Sequence, residues 1–229
     1  MTLVFLASCD EFGPGCIRGN NRIATETRPV GSFDEVECNG SFVVEITTGS
    51  RGPLEIEGDE NLLSYIETYV QGNRLVLGTR NGKCIRSNEP IRIYVSTPMV
   101  TSLKMSGSGA IYCDHISADN LFLGVSGTGT IECHAVALKY IRANISGSGS
   151  IEVWGRTNDA DLTISGSGLI KTLNLQQYNC FADISGSGNI YARVLNTLDV
   201  TISGSGNLYY DGDPEIRQSI SGTGSVRKY

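Results

Sequence analysis

Met105-Ser-Gly-Ser-Gly-Ala-Ile111 and, later, Ile145-Ser-Gly-Ser-Gly-Ser-Ile151 are two copies of one phrase. In it an apolar residue precedes Ser-Gly-Ser/Thr-Gly, one variable residue follows, and Ile, Leu or Val closes the phrase. The tetrads begin at Ser106, Ser126, Ser146, Ser165, Ser185, Ser203 and Ser221, at spacings of 20, 20, 19, 20, 18 and 18. Self-similarity at such a period is the mark of a solenoid. Each interval is too short to hold a helix as well.

Outward from the tetrads, the residues one, three and five before each serine form an alternating run. Leu121, Leu123, Val125 and Ile141, Ala143, Ile145 are examples. Five residues after each serine stand Ile111, Ile131, Ile151, Ile170, Ile190, Leu208 and Val226; two further on come Cys113, Cys133, Val153, Thr172, Ala192, Tyr210 and Lys228. Period-two alternation predicts strands with one buried face. A weaker third apolar position is read at Ile116, Val136, Leu175 and Leu195. Two clear strands and a weaker third in ~20 residues describe one coil of an all-β, parallel β-helix, each coil rising by one strand spacing of ~4.8 Å. Right-handed coiling is expected, since parallel crossovers favour that hand.

The tetrad is the corner between the two runs. Its glycines are Gly107 and Gly109, Gly127 and Gly129, Gly147 and Gly149, Gly166 and Gly168, Gly186 and Gly188, Gly204 and Gly206, and Gly222 and Gly224. Glycine supplies positive φ or close backbone approach, and the hydroxyls can bond along the stack. Upstream, Asn39-Gly-Ser-Phe42 is a degenerate tetrad flanked by Val36, Cys38, Val44 and Ile46, and predicts an early coil. Leu62, Leu63, Ile66, Tyr69 and Val70 after Asp59 predict a short amphipathic helix covering apolar surface near the N-terminal end. In the last coil Gln218 takes an inward position, with Arg227 and Lys228 on the final strand, where charge opposes end-to-end pairing.

The chain opens with an apolar run ending Leu6-Ala-Ser-Cys9, which resembles the lipobox of bacterial lipoproteins and makes Cys9 the expected lipidation site. Asp10-Glu11 resembles an acidic surface-export signal. The expected organisation is a partial lipoprotein signal at 1–8, a tether at 9–32 and one β-helix domain at 33–229. That domain divides into irregular coils at 33–104 and regular coils at 105–229. The other cysteines contain no C-x-x-C, which argues against zinc or thioredoxin-like chemistry. Cys113 and Cys133 share a repeat phase and point alike, so they are read as reduced core thiols with Cys180, while Cys16 and Cys84 are the better bridge.

The Gly31-Ser-Phe33…Val36 entry, the Gly58-Asp-Glu-Asn-Leu-Leu63 segment and the serial tetrads resemble the "head GIN" domain family of putative auto-transporter adhesins from Gram-negative bacteria. The resemblance spans roughly 33–229. It implies a right-handed β-helix and a cell-surface or periplasmic place, and it brings no catalytic residues.

Composition narrows the chemistry. The 229 residues carry net charge -6 and 28 glycines, so the basic footprint of a nucleic-acid binder is missing. No 18-residue apolar run exists for a membrane helix, so the expected membrane contact is the lipid anchor alone. Gly107-Ser-Gly109 lacks the lysine of a phosphate loop, and the tetrads lack the aspartates of a calcium ladder. No cofactor or metal is expected.

Two outward rows are the candidate ligand surfaces. Six residues after the serines stand Tyr112, Glu132, Glu152, Lys171, Tyr191, Tyr209 and Arg227. The tyrosines could stack on sugars, and Glu132 with Glu152 forms the kind of carboxylate pair that glycoside hydrolysis requires, though solvated glutamates are the plainer reading. Four before the serines stand Ser102, Phe122, Arg142, Asp161, Phe181, Asp199 and Arg217, in which Phe122 and Phe181 mark a contact patch or scattered surface aromatics. His115 and His134 have no nearby nucleophile, and Trp154 is read as corner packing. The leading expectation is a non-enzymatic, lipid-anchored surface protein whose rigid face meets a glycan or host protein. A polysaccharide lyase or hydrolase on a β-helix is the second reading, and a structural envelope protein the third.

Overall fold

The computed structural model describes residues 15–229, so the lipobox and Cys9 lie outside the described residues. The chain is a parallel β-solenoid of about six turns. Its first face stacks, in spatial order, Arg74–Thr79, Glu35–Asn39, Ser102–Gly107, Asn120–Gly127 and Tyr140–Gly147. The C-terminal parts of Ser150–Gly166, Leu169–Gly186 and Asn189–Gly204 follow, and then Glu215–Gly222. The second face stacks Arg92–Thr97, Val43–Thr48, Ala110–Asp114, Thr130–Ala137, the N-terminal parts of the same long strands, Asn207–Asp211 and Ser225–Lys228.

Register turns the sequence repeat into columns. Cys38, Met105, Val125, Ile145, Ile164, Ile184 and Ile202 lie one above another on the first face, all buried. Val44, Ile111, Ile131, Ile151, Ile170, Ile190 and Leu208 do the same on the second. Each such side chain contributes about 1.5–3 kcal/mol through burial.

At the corner the two tetrad glycines have different work. The first, at Gly107, Gly127, Gly147, Gly166, Gly186, Gly204 and Gly222, has φ between +125° and +143°. Its carbonyl receives amides from the next coil, as Thr128 N and Gly129 N donate to Gly107 O at 3.0 and 2.8 Å. The second glycine has no positive φ, but a Cβ there would strike the coil below. On Gly168 it would stand 2.5 Å from Ile145 Cγ2. In the early coil Phe42 occupies that position, fully inside, because the layer beyond it leaves the stack at Thr79 and returns only at Ile91.

The N-terminal part is corrected in three respects. The coil at 35–48 lies between the coil at 102–114 and the later segment 74–97, so spatial order departs from chain order. The expected helix is a single turn, Glu60–Leu63. Ile66, Tyr69 and Val70 belong instead to the strand Ile66–Gln71, which pairs antiparallel with Arg74–Thr79 across Gly72 at φ +65°. Thr68-Tyr69-Val70 is a β-former run, and strand pairing outweighs the helical spacing of the leucines. Finally, much of the stretch read as tether is folded. Ile23–Arg28 pairs antiparallel with Leu54–Asp59, and Ile17–Arg18 pairs with Ile85–Arg86 beside a Cys16–Cys84 disulfide.

Cys38, Cys113, Cys133 and Cys180 are buried free thiols. Burial pushes Cys38 and Cys113 up to about 12 and raises Cys133 and Cys180 as well. On the third side Ile116, Val136 and Leu175 face the core, but Val194 rather than Leu195 completes the set, because the register shifts where Gln177 meets Val194. Gln177 is itself buried and donates to Thr172 Oγ1 at 3.2 Å.

Candidate functional site

Strand register places Tyr112, Glu132, Glu152, Lys171, Tyr191 and Tyr209 in one straight row on the second face, joined by Glu45 and Tyr94 beyond Tyr112. Its members are engaged with one another. Lys171 Nζ lies 3.5 Å from Glu152, and the Tyr191 and Tyr209 rings stack at 4.8 Å, each covering one face of the other. Tyr229 closes edge-on against Tyr191 at 5.9 Å. Glu132 and Glu152 are neighbours on a flat sheet face. Trp154 stacks on His134 at 4.1 Å on the adjoining row.

Phe122 and Phe181 stand on the other face, so the two sets of residues singled out from the sequence do not converge. Lys104 Nζ lies over the Phe122 ring at 5.5 Å. Phe181 is 60% exposed, with Asp161 and Asp199 on either side of it along the row; Arg142 and Arg217 pair with these acids at 3.1 and 3.9 Å. Among the described residues, no group of three or more His, Cys, Asp or Glu is placed to hold a metal ion.

Two adjoining hollows lie along the corner between the third side and the first face, and Phe122 lines one of them. Two outward rows run parallel to the solenoid axis there. One is Ser117, Ala137, Arg156 and Gln176, in register from coil to coil. The other is Asp119, Lys139, Asn158 and Tyr178, each one residue before the register set Asn120, Tyr140, Asp159 and Asn179. Because Ser117, Ala118 and Ala137 are short while Arg156, Lys139 and Tyr178 are long, a hollow of about 650 Å³ opens between them, floored by Leu138 and Thr157. A second hollow, about 640 Å³, shares Ala118 and Asp119 with it and continues past Met99, Phe122, Tyr140 and Arg142.

Charge along this groove is uneven. Asp119 pairs with Lys139 at 2.9 Å. Arg142 donates to Tyr140 Oη at 3.0 Å and pairs with Asp161, and these contacts, the tyrosine hydroxyl first, raise its pKa above the usual guanidinium range. Arg156 has no acidic partner within 4 Å among the described residues, and Tyr178 is 54% exposed. Sequence reading missed Tyr140 and Tyr178 because they stand before the positions it followed ahead of each tetrad serine, and missed Arg156 because it breaks the weak third apolar phase of Ile116, Val136 and Leu175. The run of small residues at Ser117, Ala118 and Ala137 was the available signal.

The family described as "putative auto-transporter adhesin, head GIN domain" matches residues 32–214. The chain belongs to this family. Among curated proteins nothing matches it. Among solved structures it resembles a putative adhesin from Bacteroides fragilis, with TM-score 0.87, 22% identity and coverage of 93% of this chain and 100% of that one. A putative lipid binding protein from Parabacteroides distasonis gives TM-score 0.79 at 26% identity, over 94% and 100% of the two chains. A putative adhesin from Parabacteroides merdae gives 0.74 at 20%, over 93% and 98%. These likenesses agree on the solenoid.

Proposed function

We propose that this protein is a non-enzymatic adhesin of the cell surface, exported, held at the membrane by lipid on Cys9, and binding a glycan along the corner groove. The family and the adhesin-type fold relatives support the adhesin class. The observation that carries the ligand class is the groove itself, whose walls are tyrosine rings and planar polar side chains of the kind that order sugar hydroxyls. Its rows advance by one coil, ~4.8 Å, close to the length of a pyranose residue in an extended chain. A stiff scaffold binds such a polymer without first having to be ordered.

Glycoside hydrolysis requires an acid and a base flanking the bond in a cleft. Glu132 and Glu152 lie on the flat second face, with Glu152 engaged by Lys171. The groove carries Asp119, which Lys139 occupies. Screening the protein on a glycan array, with product analysis of each bound glycan, separates the two roles. Binding without cleavage is the expected result. Cleavage products would replace the adhesin reading by the enzymatic one, and absence of any glycan binding would remove the ligand assignment.

A further inference from the structure

We infer that the groove recognises a sugar acid, with the Arg156 guanidinium receiving the carboxylate of a uronic-acid residue. The inference rests on the glycan-binding reading above and names the class of glycan. The chain as a whole carries net charge -6, yet the hollow at this corner holds two cations, Lys139 and Arg156, against the single acid Asp119. Asp119 and Lys139 satisfy each other at 2.9 Å, and Arg142 in the adjoining hollow is satisfied by Asp161 and Tyr140. The unspent positive charge in the groove therefore sits on Arg156.

The surroundings of Arg156 suit a carboxylate carried by a sugar ring. Its register neighbour on one side is Ala137, too short to fill the space beside the guanidinium, and on the other is Gln176. Across the groove stand Asn158 and the exposed ring of Tyr178. A guanidinium fork takes a planar carboxylate through two parallel hydrogen bonds. The amides of Gln176 and Asn158 both donate and accept, as sugar hydroxyls require, and the Tyr178 ring offers an apolar face to the sugar's C–H side. A neutral sugar would use the amides and the ring but leave Arg156 unused.

The test is titration calorimetry of the full chain with oligomers of galacturonate, glucuronate and mannuronate, their methyl esters, and a sulfated oligosaccharide. At least one uronate oligomer should bind at least tenfold more tightly than its ester, with affinity falling as salt rises. Arg156→Met should erase that preference, while Arg227→Met, on the second face of the terminal coil, should retain it. Unchanged melting temperatures for both variants exclude misfolding as the cause. Equal binding of acid and ester, or an Arg156→Met variant that keeps the preference, overturns the inference and leaves the glycan-binding reading in place. Tighter binding of the sulfated probe overturns the assignment to a carboxylate. Failure of every sugar, acidic, esterified or sulfated, defeats both readings together.

Discussion

A Cβ on Gly149 would occupy the space that Val125 Cγ1 fills from the coil below, and would also press on the carbonyl oxygen of Gly129. The tetrad is thus a packing element in which one coil's glycine makes room for the neighbour's core residue. Gly149→Val should destabilise the fold by about 3 kcal/mol or more through overpacking and backbone displacement. The same change at Gly224 should cost less, because the terminal coil has one stacked neighbour and can fray alone. Ser150→Val loses a 3.0 Å bond to Thr130 Oγ1 and should cost about 1 kcal/mol. Urea denaturation of the three variants checks the order; equal losses at Gly149 and Ser150 would contradict the packing role.

The cysteines should divide by chemistry. Mass spectrometry of unreduced peptides is expected to show Cys16 joined to Cys84, at a sequence separation of 68. Cys38, Cys113, Cys133 and Cys180 should resist maleimide in the native protein and react once it is unfolded, because burial both excludes the reagent and suppresses the thiolate. Loop-closure entropy puts the bridge at about 4 kcal/mol, so Cys84→Ser should loosen the N-terminal strands first. A Cys113–Cys133 link in the spectrum would contradict this division.

Asp59 gives the N-terminal end a defined acid response. Its buried carboxylate accepts from Ser87 Oγ at 2.6 Å, from Asn21 N at 2.7 Å and from Asn88 N at 3.3 Å. The serine bond, ahead of the two amides, holds its pKa below the usual carboxylate range against the opposing effect of burial. A lowered folded pKa means stabilisation that is fully present above the unfolded value near 3.9 and is lost as pH falls through the folded one. Asp59→Asn should cost about 1.5–3 kcal/mol at neutral pH, and the gap to wild type should close on acidification below pH ~4. A gap that persists unchanged to the lowest pH would contradict the assignment.

The regular coils were legible because each residue's place is fixed twice, by strand alternation and by repeat phase. Ile145 and Ile151 announce their columns even in isolation. The N-terminal end lacked that redundancy. Antiparallel pairing of Ile23–Arg28 with Leu54–Asp59, and insertion of the 35–48 coil between later segments, are long-range choices that leave no periodic trace. Leu62 to Val70 satisfied helical spacing, yet Thr68-Tyr69-Val70 paired as a strand once Arg74–Thr79 offered an edge. Val194 displaced Leu195 because successive coils differ in length and the third side absorbs the difference.

The outward rows were legible as rows but not as a site. Tyr191 and Tyr209 fell in register, then turned one face each to the other. The groove depends on what is missing at Ser117, Ala118 and Ala137, and short residues carry little signal until the coils beside them are known.

The most direct test of the account is a comparison of two paired substitutions on the glycan array. Tyr140→Ala with Tyr178→Ala strips both tyrosine rings from the groove, whereas Tyr191→Ala with Tyr209→Ala strips the stacked pair from the second face. The groove pair should lose glycan binding at least tenfold, and the second-face pair should retain the wild-type pattern. Loss of binding in the second-face pair with retention in the groove pair would contradict the account.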